Sequence, residues 1–241
     1  MKDAPTRDAY GQALVDMGAD PRIVVLDAGV SDSTRSKKFG DKFPDRFFNM
    51  GIAEADMVCT AAGLATTGKI PFATGFACFL LGRTMDQVLV SIAYSNTNVK
   101  LVGTHTGLSV GEDGPSAQMI VDIAYTRAMP NMIVVQPADW EETVQATRAL
   151  IDYEGPAYFR LGRPKVKGIF DSSYKFEIGK GRVVKKGADL VIFATGIMVQ
   201  ESMTAMEMLE RNNINVTLVN ISTLKPIDRG LVIEMASSHK A

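Results

Sequence analysis

The sequence of 241 residues lacks the features that several broad classes of protein require. No run approaches the roughly 18 consecutive apolar residues of a membrane span, and residues 1–10 contain no apolar signal core. The 26 basic residues are balanced by 27 acidic ones, so no excess of charge favours a nucleic acid or an anionic membrane as partner. A small anionic substrate needs only a local basic cluster, which the overall charge does not exclude. From the absence of a signal core and a membrane span we expect a cytoplasmic protein.

Cysteine and histidine are scarce, with two residues of each. Cys59 and Cys78 both lie in apolar stretches, which predicts buried small side chains rather than a disulfide or a redox pair. No Gly-Asp-Gly motif occurs, and no dense acidic cluster offers the oxygen ligands that a divalent cation prefers. The sequence therefore predicts no metal site of its own.

Short apolar runs alternate with segments of helical spacing along the first two thirds of the chain. The runs predict strands at 23–26, 71–74, 99–102, 132–135 and 157–159, and the spacing predicts helices at 53–67, 80–94, 116–128 and 139–152. Asp139 is the predicted N-cap of the last helix, with Glu141 and Glu142 in its first turn. Apolar strands alternating with helices predict an α/β fold whose parallel sheet is covered on both faces.

The pattern weakens over 166–186, which is rich in Lys and Gly, and then restarts with strands at 190–194 and 216–219 around a helix at 199–211. We therefore predict an α/β domain at 1–165, a linker at 166–186 and a smaller α/β domain at 187–241. The second domain has a small core, and the sequence ends within helical sequence at Lys240-Ala241. We expect this domain to be incomplete or to be supported by a partner.

One acidic residue stands at the start of an apolar helix, directly after a strand and a glycine. It is Glu54, in the segment Asn49-Met50-Gly51-Ile52-Ala53-Glu54. Taken alone, Glu54 is best explained as a residue that interacts with the helix dipole. However, open parallel sheets bind ligands at the carboxyl ends of their strands, and Phe76 and Phe79 follow the next predicted strand. Two phenylalanines and a carboxyl group suit a flat heteroaromatic ring, stacked by the aromatics and protonated by the acid.

Five sequence blocks together resemble the transketolase family in their order and spacing. They are Thr6-Arg7-Asp8-Ala9-Tyr10-Gly11-Gln12-Ala13-Leu14, Gly51-Ile52-Ala53-Glu54, Phe76-x-x-Phe79, Thr104-His105 and Gly111-Glu112-Asp113-Gly114-Pro115-Ser116. The resemblance implies a parallel-sheet domain that binds the pyrimidine of thiamine diphosphate, followed by the family's C-terminal domain. Thr223-Leu224-Lys225-Pro226-Ile227-Asp228 resembles the latter domain as well.

The resemblance also implies roles for single residues. Glu54 would hydrogen-bond the aminopyrimidine ring nitrogen, so that the exocyclic nitrogen can take a proton from the thiazolium carbon, while Phe76 and Phe79 would pack the ring. His105 would contact the sugar near the reacting carbon, and Asp113 would bind a donor hydroxyl beside the scissile bond. Without that context, a structural histidine and a turn aspartate are the ordinary explanations.

Arg7 and Arg163 match the arginines that bind the substrate phosphate in the family, because guanidinium groups suit phosphate oxygens. Arg160 could take the place of Arg163 if the register shifts by a turn. Two positions depart from the family pattern. Ala117 stands where His or Gln is usual, which predicts a lost sugar or phosphate contact, and Gly29 stands where Asp is common, which predicts a looser or larger site.

Full-length transketolases hold the diphosphate through a Gly-Asp-Gly motif. Because this sequence lacks the motif, the resemblance implies that the diphosphate-binding half of the site belongs to another chain. We expect thiamine diphosphate to bind together with an N-terminal transketolase section that holds Mg²⁺ or Ca²⁺, in a two-plus-two heterotetramer. The expected reaction transfers a two-carbon ketol unit from a ketose, phosphorylated in this interpretation, to an aldose. The alternatives are a 2-oxo acid dehydrogenase beta subunit, a deoxyxylulose-phosphate synthase relative, and a non-catalytic binding subunit.

Overall fold

The computed structural model describes residues 1–240, in which strands and helices alternate for most of the chain. The strands are β1 (Ala4–Pro5), β2 (Ile23–Asp27), β3 (Phe47–Asn49), β4 (Ile70–Phe76), β5 (Lys100–Thr104), β6 (Ile133–Val135), β7 (Ala157–Arg160), β8 (Lys165–Val166), β9 (Arg182–Lys185), β10 (Leu190–Ala194), β11 (Val216–Asn220) and β12 (Thr223–Lys225). The α-helices are α1 (Thr6–Met17), α2 (Ser31–Thr34), α3 (Lys37–Lys42), α4 (Glu54–Thr66), α5 (Ala77–Gly82), α6 (Met85–Gln87), α7 (Asp122–Ala128), α8 (Trp140–Asp152), α9 (Met198–Glu210) and α10 (Arg229–Ser238). None of these helices is long and apolar enough to cross a membrane.

Seven strands form the main sheet, in the order β12-β6-β7-β5-β4-β2-β3. Every neighbouring pair is parallel except β12 with β6. Because side chains alternate along a strand, β2 places Val24 and Leu26 in the apolar core on one face and Ile23 and Val25 in the core on the other. The predicted α/β fold, with a parallel sheet covered on both faces, is confirmed.

Different helices supply the two apolar layers. On one face, Tyr10 and Leu14 of α1 pack with Leu150 of α8. On the other face, Met57 of α4 packs with Leu80 of α5. This arrangement fixes the sheet as a rigid platform whose strand ends can hold functional side chains.

A second, three-stranded sheet has the order β10-β11-β9, with α9 packed against it. Strand β9 comes from the segment that the sequence pattern assigned to the linker, and β12, from the C-terminal part of the chain, pairs with β6 of the main sheet. Helical sequence was expected to continue to the end of the sequence, but helix α10 ends at Ser238, two positions before the last described residue. Ala241 lies outside the described residues.

Three predictions of local structure were wrong. The helix expected at 80–94 is interrupted, because Thr84 leaves the helical conformation between α5 and α6, and its last part, Val88–Tyr94, is a π-helix. The helix expected at 116–128 begins only at Asp122, after a 3₁₀ turn at Pro115–Ala117. Cys59 is exposed rather than buried, because it lies on α4 opposite the face that packs on the sheet, whereas Cys78 is half-buried.

The predicted N-cap at Asp139 is confirmed, since its side chain accepts a hydrogen bond from the backbone N–H of Glu142 (2.9 Å). The other carboxylate oxygen of Asp139 accepts from the N–H groups of Ile169 and Phe170, each at 2.7 Å. One buried carboxylate therefore starts α8 and fixes the path of the chain that leads to the second sheet.

Glu142 was predicted from the sequence as an acid at a helix start, but its side chain is fully buried between the two sheets. Its carboxylate accepts hydrogen bonds from the Ala138 N–H (2.7 Å), the Tyr174 hydroxyl (2.6 Å) and the Asn220 amide (2.9 Å). Burial raises the pKa of Glu142, whereas these hydrogen bonds lower it. Three hydrogen-bond donors point at this one carboxylate. The position between the two sheets, which we call the junction, therefore requires a side chain that only accepts hydrogen bonds.

We expect Glu142→Gln to lower the free energy of unfolding by about 2–3 kcal/mol, because the glutamine amide would turn an N–H toward a donor and leave a buried group unpaired. Urea denaturation of the two proteins measures the difference. Glu141→Gln, one residue earlier on the more exposed side of α8, is the matched control and should cost less than about 0.5 kcal/mol. Equal losses in the two variants would contradict this account of the junction.

Candidate functional site

The carboxyl ends of five adjacent strands define one edge of the main sheet. The register pairs Asp27 of β2 with Asn49 of β3, and Phe76 of β4 with Thr104 of β5. Arg160 ends β7 beside β5. Because these strands are parallel, the segments that follow them emerge on the same edge, and Glu54, Phe79, His105 and Arg163 all lie in those segments.

Glu54 is the first residue of α4 and is 5% exposed. Within residues 1–240, its carboxylate has a single hydrogen-bond donor. Nη1 of Arg83 lies 3.2 Å from one carboxylate oxygen and 3.3 Å from the other. The guanidinium of Arg83 also lies over the ring of Phe79, 4.5 Å from its centre. The sequence interpretation missed Arg83, because its partner is 29 positions away and no motif surrounds it.

Three flat side chains continue from Glu54 across the edge of the sheet. The rings of Phe79 and Phe76 are stacked, with centres 6.0 Å apart and an angle of 18° between the planes. The imidazole of His105 follows, with its centre 3.8 Å from that of Phe76. We call Phe79, Phe76 and His105 the aromatic row. It joins the residues predicted to bind the pyrimidine with the histidine predicted to contact the sugar.

The hydrogen bonds of His105 define its tautomer. Nη1 of Arg7 lies 3.0 Å from Nε2, and because a guanidinium can only donate, Nε2 must be the unprotonated nitrogen. Nδ1 therefore carries the proton and donates it to the Thr104 hydroxyl (2.9 Å), which in turn donates to the Gly75 carbonyl. Burial, together with the positive charges of Arg7, Arg163 and Arg35, lowers the pKa of His105 to about 4, although Asp113 acts in the opposite direction.

Three arginines surround the outer end of the aromatic row. Arg7, near the start of α1, donates to the Ser33 carbonyl (3.0 Å) as well as to His105, but its buried Nε has no partner within residues 1–240. Arg35 is paired with Asp8 at 2.6 Å. Burial, and after it the charges of Arg35 and Arg163, lower the pKa of Arg7, whereas Asp8 and Asp113 raise it. An anionic ligand would pair with the free donor and offset these positive charges.

Arg163, rather than Arg160, belongs to this cationic group. Arg163 donates to the Val110 carbonyl (2.7 Å) and to the exposed Glu112 (3.2 Å), and its charge acts on His105. Arg160 instead donates to the buried Asp122 at 2.7 Å, alongside the Tyr158 hydroxyl. Arg160 is thus paired with a buried carboxylate, whereas Arg163 lies on the side of the site that faces His105.

Asp113 lies on the exposed 3₁₀ turn Gly111–Asp113, and its side chain makes no hydrogen bond within residues 1–240. It is close enough to His105 and Arg7 to raise the pKa of each. Ala117, one of the two departures from the family pattern, is buried in the following turn. The turn thus presents one free carboxylate to the site, and a small apolar residue occupies the position where His or Gln is usual.

Gly29, the other departure, follows Asp27 in the loop after β2 and has a φ of +80°. A Cβ placed there would come no closer than 3.5 Å to the Gly51 backbone, so packing leaves room for a side chain. Aspartate tolerates this left-handed conformation better than most residues. The glycine therefore leaves open space beside the loop that leads to Glu54.

Residues 1–240 contain no grouping of metal ligands. Within the described residues, no set of three or more His, Cys, Asp or Glu side chains is arranged to hold a metal ion. The side chains that could contact a cofactor are instead Glu54 and the aromatic row. Those that could contact an anion are the three arginines.

Two family models match the chain. The model described as "Transketolase, pyrimidine binding domain" matches residues 2–168, and the one described as "Transketolase, C-terminal domain" matches residues 179–241. Between them they include the main sheet, every residue of the candidate site and the smaller sheet.

Similar sequences come from several organisms. A Methanocaldococcus jannaschii protein, provisionally named a transketolase C-terminal section, is 45% identical over 94% of this chain and 72% of its own length. A 6-deoxy-6-sulfo-D-fructose transketolase subunit of a Clostridium species is 37% identical over 95% of this chain and 72% of its own. Human transketolase is 37% identical over 98% of this chain, which spans only 38% of the human protein.

Solved structures agree with these similarities. A split-gene transketolase, solved as an inactive beta4 tetramer, superposes with a TM-score of 0.91 at 45% identity, over 100% of this chain and 78% of that one. The Campylobacter jejuni transketolase has a TM-score of 0.88 at 24% identity, over 97% of this chain and 38% of that one, which supports the fold alone.

The lowered pKa of His105 predicts that acid destabilises the fold. In the unfolded chain His105 binds a proton near its ordinary pKa of 6.5, whereas in the folded chain it does so only near 4. Stability from this residue is therefore complete above pH 6.5 and is lost as the pH falls toward 4, by about 2–3 kcal/mol. His105→Asn keeps a residue that tolerates the positive φ of this position but cannot titrate, so its stability should fall less over this range. Chemical denaturation at pH 7 and pH 4.5 tests this, and parallel pH profiles would contradict it.

Proposed function

This chain belongs to the transketolase family, and from that premise we propose that it is the catalytic, pyrimidine-binding subunit of a split transketolase that depends on thiamine diphosphate. Its proposed domains are 1–165 and 187–241, and the segment 166–186 between them contributes strand β9 to the smaller sheet. The subunit transfers a two-carbon ketol unit from a phosphorylated ketose to an aldose when it is assembled with an N-terminal section. The observation that supports this best is the buried carboxyl of Glu54 at one end of the aromatic row and the arginine group at the other.

The inner end of the row suits an aminopyrimidine. Glu54 is buried, accepts from one exposed donor and lies beside Phe79, so a flat ring with nitrogen at its edge can replace that donor. Thiamine diphosphate supplies the carbon nucleophile that takes up the two-carbon unit. Glu54 holds the proton at the pyrimidine ring nitrogen, and Phe76 and Phe79 pack the ring and exclude water from it.

His105 and Asp113 are proposed to contact the donor sugar. His105 is neutral at physiological pH because its pKa is about 4, so the lone pair on Nε2 can accept a hydrogen bond from a sugar hydroxyl once Arg7 turns away. Asp113 offers a free carboxylate to a second hydroxyl of the donor. His105 has no proton on Nε2, so its proposed role is to orient the hydroxyl by accepting its hydrogen bond rather than to act as an acid.

The arginine group is proposed to bind the substrate phosphate. Arg7 has a buried Nε without a partner in the part of the chain that the structure describes, and the charges of Arg35 and Arg163 lie beside it. A phosphate would accept hydrogen bonds from Arg7 and Arg163 and offset the crowded positive charge. This argument favours a phosphorylated donor despite Ala117.

A partner chain is proposed to complete the site. Large apolar side chains are exposed on the loops around it: Ile52 (82%), Ile120 (71%) and Leu108 (68%). The split-gene relative was solved as an inactive tetramer, which fits a chain that self-associates but needs an N-terminal section for activity. In this proposal the partner holds the diphosphate through Mg²⁺ or Ca²⁺, and two copies of each chain form the enzyme.

We expect Glu54→Gln, in the assembled enzyme, to lower kcat at least about 100-fold, because the amide cannot share a proton with the pyrimidine ring. Ketol transfer between a ketose phosphate and an aldose phosphate measures the effect. Asp56→Asn, an exposed acid in the same helix turn, is the matched control and should keep nearly full activity. Retained transfer in Glu54→Gln would overturn the assignment of the site. Activity on pyruvate instead of ketoses would favour a 2-oxo acid enzyme, and no uptake of thiamine diphosphate by the assembled pair would favour a binding subunit.

Arg163→Gln should raise KM for a phosphorylated ketose by roughly tenfold to a hundredfold, because a charged hydrogen bond to phosphate is lost. KM for the matching unphosphorylated ketose should stay within about threefold. Steady-state kinetics with the two donors gives the comparison. If KM rises equally for both, Arg163 only supports the turn at Gly111–Asp113, and the phosphate assignment is wrong.

A further inference from the structure

Arg83 contacts two of the three groups proposed to bind the pyrimidine, Glu54 and Phe79. Its Nη1 donates to the two oxygens of Glu54, and its guanidinium carbon lies 4.5 Å from the centre of the Phe79 ring. A guanidinium is a flat cation with N–H donors along its edge. An aminopyrimidine that is protonated on its ring nitrogen has the same three properties. One side chain thus makes the ion pair and the stacking contact that the cofactor ring would make.

We propose that Arg83 occupies the pyrimidine subsite of this chain in the absence of cofactor, and that it must leave Glu54 before the cofactor ring can bind. This inference rests on the proposed function. It names a residue that competes with the cofactor rather than one that takes part in ketol transfer.

The two partners of Glu54 exclude one another. Glu54 is almost completely buried, so the side of its carboxylate that Arg83 covers is the side from which a ligand can approach. A guanidinium does not give up its proton, so in the ion pair Glu54 can only be an acceptor. Nη1 of Arg83 faces both oxygens of the Glu54 carboxylate. A pyrimidine ring nitrogen cannot occupy that position at the same time.

Arg83 is also placed to move. Its side chain is 53% exposed, and within residues 1–240 it donates to Glu54 alone. Its backbone N–H is held by the Phe79 carbonyl at the end of α5, and the chain departs from helical conformation directly after it, at Thr84, so only the side chain has to move. Water competes for the charge of the half-exposed guanidinium although Glu54 is buried, and a long arginine side chain can turn outward into solvent.

The test is the affinity for thiamine diphosphate of the chain assembled with its N-terminal section in the presence of Mg²⁺, measured by titration calorimetry. We expect Arg83→Gln to bind the cofactor roughly threefold to thirtyfold more tightly, since the ion pair and the cation–π contact of a half-exposed guanidinium no longer compete. Arg22→Gln is the matched control. Arg22 is similarly exposed and paired with Asp20, but it lies at the opposite edge of the sheet, so its loss should leave the affinity unchanged.

Two further variants separate competition from a structural effect. Arg83→Lys keeps the charge but loses the flat guanidinium, so its affinity should lie between those of wild type and Arg83→Gln. In a Glu54→Gln background the gain from Arg83→Gln should shrink, because the ion pair is already absent. An affinity of Arg83→Gln equal to or weaker than that of wild type would overturn the inference while leaving the proposed function intact. If the assembled wild type takes up no thiamine diphosphate, the proposed function fails and this inference fails with it.

Discussion

The parallel register of the main sheet determines where the chemistry of this molecule can take place. Strands β2, β3, β4, β5 and β7 end at one edge, so the segments that follow them meet there although they are far apart in sequence. A shift of one residue in β4 or β5 would turn Phe76 or Thr104 to the other face of the sheet. The aromatic row, and with it the distance between Glu54 and the arginine group, therefore depends on backbone pairing more than on any single side-chain contact.

Buried carboxylates hold the loops at that edge and the junction below it. Asp27 accepts from the Thr34 and Ser36 hydroxyls and from the Val30 N–H, which folds the loop after β2 so that the Ser33 carbonyl meets Arg7. Asp139 and Glu142 do the same for the chain between the two sheets. Each buried charge is costly unless its hydrogen bonds are complete, so each also fixes a single arrangement of its loop.

The sequence predicted best those features that depend on neighbours along the chain. The parallel sheet and the cap at Asp139 followed from local pattern, and the placement of Glu54 and Phe76 followed from the rule that ligands bind at strand ends. The pairing of Arg83 with Glu54 and of Glu142 with Asn220 could not be predicted, because these partners are 29 and 78 positions apart and meet only after the sheet has formed. The break in the helix expected at 80–94 was missed for a related reason, since apolar spacing continues through Thr84 and only the backbone conformation changes.

The two ends of the aromatic row carry opposite charge. At the inner end a buried carboxylate is paired with one exposed arginine, and a planar group with N–H at its edge can take that place. At the outer end, burial and neighbouring cations lower the pKa values of Arg7 and His105, and an anion would offset the repulsion that disfavours their charged forms. The neutral His105 contacts Phe76 between the Glu54 end and the arginine end of the row. Because it carries no charge, it does not change the sign of the charge at either end. The site is thus polarised along the row. Under the proposed function, a heteroaromatic cofactor would bind toward Glu54 and a phosphorylated substrate toward the arginines.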